Sequence, residues 1–424
     1  MTASTPDVPT APPTGRLHHL DVIRGLAMLG ILPVNLWFFA YPTSVGLRPD
    51  DTVVATIADS LALEAMRLGF QYKFITIFSF LFGVGLALLW QKARAAGRSY
   101  GSVMVPRLLL LGVLGVLHAV FLWYGEIVAV YAGIGLALCA LAGLRPRTLT
   151  AIGTVFMCIP LGVLALLVLL AVSGNGPEAT AGGIDPAAAT GPLGEFIAAA
   201  FQSLDHKNPE FETLVFQQGS FGRISILRTV IWGTSLIFTY GLYYGWRLAG
   251  LMCLGMACLR AGWFADPRGH PGPFRKMITW GLVTGLPLHA VAFGLRQGSG
   301  ELAGALSEVV LYFGSLGLAA AYVGIVALTV ARFGLAWFLV PFAAVGRTAF
   351  SNYVLQSVIA VLLFYSQGFA LFGTLDPTDL WTIACAMWAV ELTLSTLWLI
   401  PFRVGPIEWF WRSLSLGRRL PLRA

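Results

Sequence analysis

Charge is what this chain has least of. Asp, Glu, Lys and Arg make up 11% of its 424 residues, against about 25% in a soluble domain. A water-soluble globule of that composition would lack the polar surface to cover itself, so most of the exterior must face lipid. The five cysteines (Cys139, Cys158, Cys253, Cys258 and Cys385) all fall in apolar stretches without metal-ligand spacing. They read as small core hydrophobes; no metal is expected, and no disulfide framework. A Gly-x-x-x-x-Gly-Lys loop, a Gly-x-Ser-x-Gly elbow and a His-Glu-x-x-His motif are all missing. That disfavours an ATP-driven pump, a serine hydrolase of the elbow type and a zinc protease. No basic run alternates with aromatics, so the net charge of +7 reads as membrane topology and not as nucleic-acid binding. Residues 1–15, MTASTPDVPTAPPTG, lack the basic n-region of a signal peptide and read as a disordered cytoplasmic N-terminus.

Hydrophobic residues supply 57% of the chain. Apolar runs lie at 20–41, 68–90, 107–123, 127–143, 148–172, 229–262, 277–295, 302–331, 350–366 and 379–400. This spacing predicts an all-α polytopic bundle of about ten transmembrane helices. Lys92, Arg94, Arg98, Arg145, Arg147, Arg260, Arg268, Arg275, Lys276, Arg332 and Arg403 follow alternate runs. The loops between carry acids instead: Asp50, Asp51, Asp59 and Glu64 in 42–67, and Glu178, Asp185, Glu195, Asp205, Glu210 and Glu212 in 174–226. The positive-inside rule therefore predicts both termini in the cytoplasm and those two loops outside. The organisation expected is an N-terminal five-helix half at 16–173, an extracytoplasmic loop or cap at 174–226, a C-terminal helical half at 227–403 and a cytoplasmic interfacial tail at 404–424. Residues 229–262 are read as one long or broken helix, and 334–349, with Pro341, Gly346 and Arg347, as an interfacial or re-entrant piece.

Ionisable groups cost about 2.5–3.5 kcal/mol each near the middle of a membrane helix, so those that persist there are paired or used. Asp21 and Arg24 are three apart in RLHHLDVIRGLAMLGILPVN and can pair; Asn35 lies about three turns further on nearly the same stripe. His118, in VLHAVFLWYGEI, is the favoured general base, with Glu126 placed to support its imidazolium. Asn352 and Gln356 share a face in GRTAFSNYVLQS, which also holds Arg347 and Ser357. Lys73 is expected to snorkel at the outer start of its span or to meet an anionic acceptor. WLIPFRVGPIEWFWR reads as an interfacial helix anchored by aromatics. These groups are expected to converge on one water-filled chamber open to the cytosol.

These motifs, with IFSFLFGVG and VYAGIG and in this order, resemble the YeiB-like family, which carries the domain of unknown function 418. The first motif is also similar to those of wider transmembrane acyltransferases. Acyltransferase-3 proteins place a histidine at the twelfth position counted from the Arg of an Arg-Gly pair. Heparan-glucosaminide N-acetyltransferases place an asparagine there, as Asn35 stands here. The resemblance carries over Arg24 and Asn35 but no catalytic histidine, since none lies between Asn35 and Lys73. It implies a multi-pass enzyme of the bacterial cytoplasmic (inner) membrane, moving an acetyl or other short acyl group from cytoplasmic acyl-CoA to an extracytoplasmic glycan, lipid or amine. Arg24, Arg107, Arg347 and Arg403 would hold the phosphates of CoA, since a guanidinium fork suits phosphate oxygens. Asn35 would donate to the developing oxyanion, and Lys73, Asn352 and Gln356 would contact substrate. The alternative is a proton-coupled secondary transporter of a small metabolite, with His118 and Glu126 as relay; no internal repeat supports it. The bilayer, acyl-CoA and the acceptor are the partners expected, and a homodimer stays open.

Overall fold

A computed structural model describes residues 17–47, 53–172, 191–204, 209–298 and 301–423. The tail 1–15 and the loop acids Asp50, Asp51, Glu178, Asp185 and Asp205 lie outside those residues. With no water to satisfy the backbone, an apolar chain must close its hydrogen bonds within each segment. Among the described residues the protein is helical, with one isolated antiparallel bridge between Phe402 and Arg423.

The first half comprises α1 (His18–Ala40), α2 (Thr43–Leu47), α3 (Ile57–Gly69), α4 (Lys73–Ala95), α5 (Tyr100–Phe121), α6 (Val128–Leu138) and α7 (Pro146–Val172). Two short helices follow, α8 (Gly191–Ser203) and α9 (Pro209–Gln218). Next come α10 (Phe221–Ser235), α11 (Gly245–Arg260), α12 (Gly272–Arg296), α13 (Glu301–Phe333), α14 (Val340–Arg347), α15 (Ala349–Phe364), α16 (Pro377–Trp398) and α17 (Pro406–Ser415). Eight helices are long and apolar enough to cross a membrane among the described residues, or nine if the bent pair α14 and α15 is one crossing. The chain is thus an all-α, multi-pass membrane bundle.

The difference from ten lies in two places. Run 127–143 becomes α6, 11 residues continued by a short turn to Leu141, well short of the 20 or so residues a crossing needs. Runs 334–349 and 350–366 become α14 and α15, which meet at Thr348 with an 83° bend. Hydropathy registers how apolar a run is, not whether its helix continues. Residues 229–262 belong to one continuous helix, Phe221–Arg260, in which Leu236–Tyr244 winds as a π-helix between α10 and α11.

The expected acidic loop 42–67 is largely helix. Thr56 and Asp59 form a reciprocal capping box that starts α3, and α3 runs into α4 as a 39-residue apolar stretch, Ile57–Ala95. Of the expected cap, α8 and α9 lie on α10 over an aromatic cluster that includes Trp123, Phe216, Tyr365 and Phe372, with Phe216 and Tyr365 stacked at 4.4 Å. The central element is α1, which packs on α4, α13, α14, α15 and α16.

Candidate active site

The buried polar residues of α15 form one face. Thr348, Asn352 and Gln356 recur every four residues, so they stack along the helix and turn toward α16 and α1. Asn352 Nδ2 donates to Thr348 Oγ1 and to Ser395 Oγ, both at 2.9 Å, and Thr348 Oγ1 donates to Ser395 Oγ at 3.0 Å. Gln356 Nε2 donates to the Met28 carbonyl of α1 at 3.4 Å. One turn before Ser395, Glu391 of α16 is fully buried beside Gln356. The Gln356 side chain is the polar neighbour of its carboxylate, neither oxygen has a partner at full hydrogen-bond geometry among the described residues, and Gln356 Oε1 is open as well. Sequence reasoning missed Glu391, although it is the one acid beyond the first turn of α16.

His118, near the end of α5, is 4% exposed and meets the same helix one residue further on. Its Nε2 lies 2.8 Å from Ser357 Oγ, and its ring stacks on Tyr353 at 4.6 Å. Nδ1 is buried without a partner among the described residues. Glu126 does not support this imidazole. Its carboxylate accepts the backbone N–H of Val128 and, at 2.9 Å, that of Ala129, capping α6 at its positive end. The immediate partner of His118 is therefore a hydroxyl, and Glu126 serves the short helix.

The four arginines expected to hold phosphate gather at one end of the bundle. Arg24 Nη1 contacts Asp21 Oδ1 and the Gly346 carbonyl of α14, each at 3.4 Å, so the expected Asp21–Arg24 pair forms and is tied to α14. Arg347 Nη2 donates to the Arg403 carbonyl at 2.6 Å. Trp411 of α17 donates its indole N–H to the Arg107 carbonyl at 2.9 Å, and Arg412 lies within electrostatic reach of Arg107. Glu408 of α17 accepts the backbone N–H groups of Phe350 and Ser351 at the start of α15, at 2.6 and 3.2 Å. The tail helix is thus docked on α5 and α15.

Two expected residues stand elsewhere. Asn35 is half-buried on α1, about 16 Å along the helix from Arg24 by its rise, and makes no side-chain hydrogen bond among the described residues. Lys73 does not snorkel: it is 0% exposed, and its Nζ donates to the Arg67 carbonyl at 2.6 Å. The apolar run seemed to begin at 68, but α3 extends it, so Lys73 lies inside the stretch and not at its rim. Arg24, Asn35 and His118 accordingly sit in separate helix contacts and not around one chamber. A cavity of about 250 Å³ opens beside Leu17, His18, His19, Asp266, Arg268 and Gly334, and none of the expected site residues lines it.

Comparison with known proteins places the chain among relatives. Residues 258–418 match the family model described as a protein of unknown function, DUF418. The chain is 30% identical over 410 residues to the protein YeiB of Escherichia coli (strain K12), covering 94% of this chain and 95% of that one. It is 29% identical over 412 residues to YxaH of Bacillus subtilis (strain 168), covering 94% of each.

Proposed function

The chain belongs to the YeiB-like, DUF418-containing family, and from its site we propose that it is a transmembrane acyltransferase. It would take a short acyl group from cytoplasmic acyl-CoA and pass it to a glycan, lipid or amine outside the bacterial inner membrane. The observation carrying this reading is the 2.8 Å contact between His118 Nε2 and Ser357 Oγ, made on the helix whose start adjoins the arginine end. From Ala349 to Ser357 is about 12 Å of helix rise. That lets one molecule lie with its anionic end among the arginines and its reactive end near the imidazole.

The residues fit the anionic donor at that end. Arg403 and Arg412 are exposed, and the Arg24 side chain is 33% exposed, so their guanidinium edges can meet phosphate oxygens. Acyl-CoA would supply the thioester carbonyl. His118 Nδ1, the ring nitrogen with no partner among the described residues, would take the proton of the acceptor and pass it to the departing CoA thiolate, with Nε2 held by Ser357 and Tyr353 stacked on the ring face. Because His118 is 4% exposed, substrates reach it only when α15 parts from α5, and the 83° joint at Thr348 is the natural pivot. Equilibrium binding of acyl-CoA to the purified protein, together with thioester hydrolysis, tests this. Absence of CoA binding at millimolar ligand would reject it.

One observation favours a second reading, proton-coupled transport. Glu391 places a carboxyl in the bundle interior with no cation paired to it among the described residues and the Gln356 side chain as its polar neighbour, the setting of proton-carrying acids in transporters. Uptake into proteoliposomes with and without a proton gradient distinguishes it.

A further inference from the structure

A second polar centre lies among α4, α11, α12 and α13, built on residues that the proposed acyl transfer does not use. Lys73 is 0% exposed and Arg247, three residues past the π-helical segment, is 1% exposed. Arg247 Nη2 donates to Thr76 Oγ1 of α4 at 3.1 Å and to Ser315 Oγ of α13 at 2.7 Å. Thr76 is one turn along from Lys73, so both cations address the same face of α4, and they lie within electrostatic reach of each other. The guanidinium stands 4.4 Å over the Tyr312 ring, with Tyr72 and Tyr244 at 5.9 and 6.0 Å. Its Nε has no hydrogen-bond partner among the described residues.

Two further groups turn toward this centre. Arg296 of α12, within reach of Lys73, has a buried and unpartnered Nε although its Nη2 pairs with Glu64 at 3.1 Å. His289 donates Nδ1–H to the Gly285 carbonyl at 2.8 Å, which leaves a buried Nε2 open as an acceptor near Lys73. The approach needs a glycine opposite: a Cβ on Gly314 would stand 2.8 Å from His289 Nδ1. The nearby carboxylates are Glu64, shared between Arg67 at 2.7 Å and Arg296, and Glu308, which accepts the Tyr72 hydroxyl at 3.2 Å. Neither forms a salt bridge to Lys73 or Arg247 among the described residues. Four cations thus face two carboxylates, an excess of positive charge in a medium that tolerates none without a partner. Cation–π contact with three tyrosines offsets part of this, and hydroxyls and one carbonyl satisfy some of the donors. The Nε atoms of Arg247 and Arg296 remain without a partner among the described residues, and both arginines lie within electrostatic reach of Lys73.

We propose that Lys73, Arg247 and Arg296 form a binding site inside the bundle for a phosphate-type oxyanion, carried by a lipid headgroup or free in solution. The Nε edges of the two arginines and the Lys73 ammonium donate to its oxygens, and where the occupant is the free anion the open Nε2 of neutral His289 accepts from its P–OH group. This site is independent of the acyl-transfer reading, since it shares no arginine with the end of the bundle assigned to CoA.

The test uses purified full-length protein. In detergent, thermal unfolding is followed as inorganic phosphate replaces chloride at constant ionic strength. In nanodiscs of phosphatidylglycerol or phosphatidylcholine, lipid retained after extraction is counted by native mass spectrometry. A phosphate-dependent rise in Tm identifies the free anion, and preferential retention of phosphatidylglycerol identifies the headgroup; either supports the site. Losing one charge-assisted donor should weaken binding about tenfold or more in Arg247→Met and in Lys73→Met. If Arg247→Met does not fold, Arg247→Lys and Arg296→Gln carry the same comparison. CoA binding measured on the same samples separates loss of this site from failure of the acyl-transfer reading. The proposal is overturned if the wild type shows neither effect, or if the folded variants match it in both.

Discussion

Gly25 of α1 and Gly346 of α14 face each other with no side chain between their backbones. A Cβ on Gly25 would lie 1.8 Å from the Phe342 carbonyl oxygen, and one on Gly346 would lie 1.9 Å from that of Asp21. This contact brings the Gly346 carbonyl within 3.4 Å of Arg24 Nη1, so the glycine following Arg24 sets where that arginine sits. Gly25→Ala and Gly346→Ala should each cost about 1–3 kcal/mol, as for other overpacked contacts. Thermal unfolding in detergent checks this, and an unchanged Tm in both variants would refute the close contact. CoA affinity should fall alongside, through displacement of Arg24.

How much of this was legible in the sequence depended on whether the signal was local. The Asp21–Arg24 pair and the Asn352–Gln356 face follow from residues three or four apart, and both are present. His118 and Ser357 stand 239 positions apart and carry no such signal, so their contact needed the fold. Glu126 was misread for an instructive reason. A carboxylate two and three residues before the N–H groups of a new helix is an ordinary helix-start partner, and that nearby demand took precedence over a distant imidazole. Lys73 was misplaced because a hydropathy boundary at 68 hid the amphipathic α3, whose own cap lies at Thr56. Arg247 carries no local signal of its role, because its hydroxyl and tyrosine partners come from α4 and α13.

The His118–Ser357 contact predicts a split between kinetic constants. His118→Gln should lower kcat for acyl transfer about a hundredfold to ten-thousandfold, the range for a general base, while leaving KM for acyl-CoA nearly fixed. Ser357→Ala should cost less and shift the acid limb of the pH profile, because the serine positions the ring without accepting the proton itself. Arg347→Gln should do the reverse of His118→Gln, raising KM with little change in kcat. Equal effects on KM from His118→Gln and Arg347→Gln would contradict the assignment of roles.

Glu212, on α9 outside the spans, predicts a pH-dependent stability. Its carboxylate accepts the Thr43 backbone N–H at 2.9 Å and the Thr43 hydroxyl at 3.1 Å. Burial nevertheless raises its pKa from 4.5 to about 7, with the Thr43 hydrogen bonds pulling weakly the other way. The folded state therefore holds this proton more tightly than the unfolded chain does. Stability from Glu212 is complete below about pH 4.5 and is lost as pH rises through about 7. The full effect is on the order of 3 kcal/mol by linkage. Glu212→Gln should flatten Tm against pH across this window; a curve of unchanged slope would show that Glu212 does not titrate there.

Glu391 separates the two functional readings. The polar neighbour of the Glu391 carboxylate is the Gln356 side chain, whose Oε1 stays open, so an amide in place of the carboxylate keeps that contact and adds a donor for it. In Glu391→Gln the new Nε2–H₂ can donate to Gln356 Oε1, which satisfies two groups now left open. Stability should then rise by about 1–2 kcal/mol, the value of relieving a buried unsatisfied polar group. Acyl transfer centred on His118 should persist in this variant, because the carboxyl makes no hydrogen bond to the imidazole or to Ser357. Proton-coupled flux would vanish, because an amide cannot carry the proton. Retained CoA thioester turnover in Glu391→Gln proteoliposomes therefore favours the enzyme, and its loss together with raised stability would assign the carboxyl a working role.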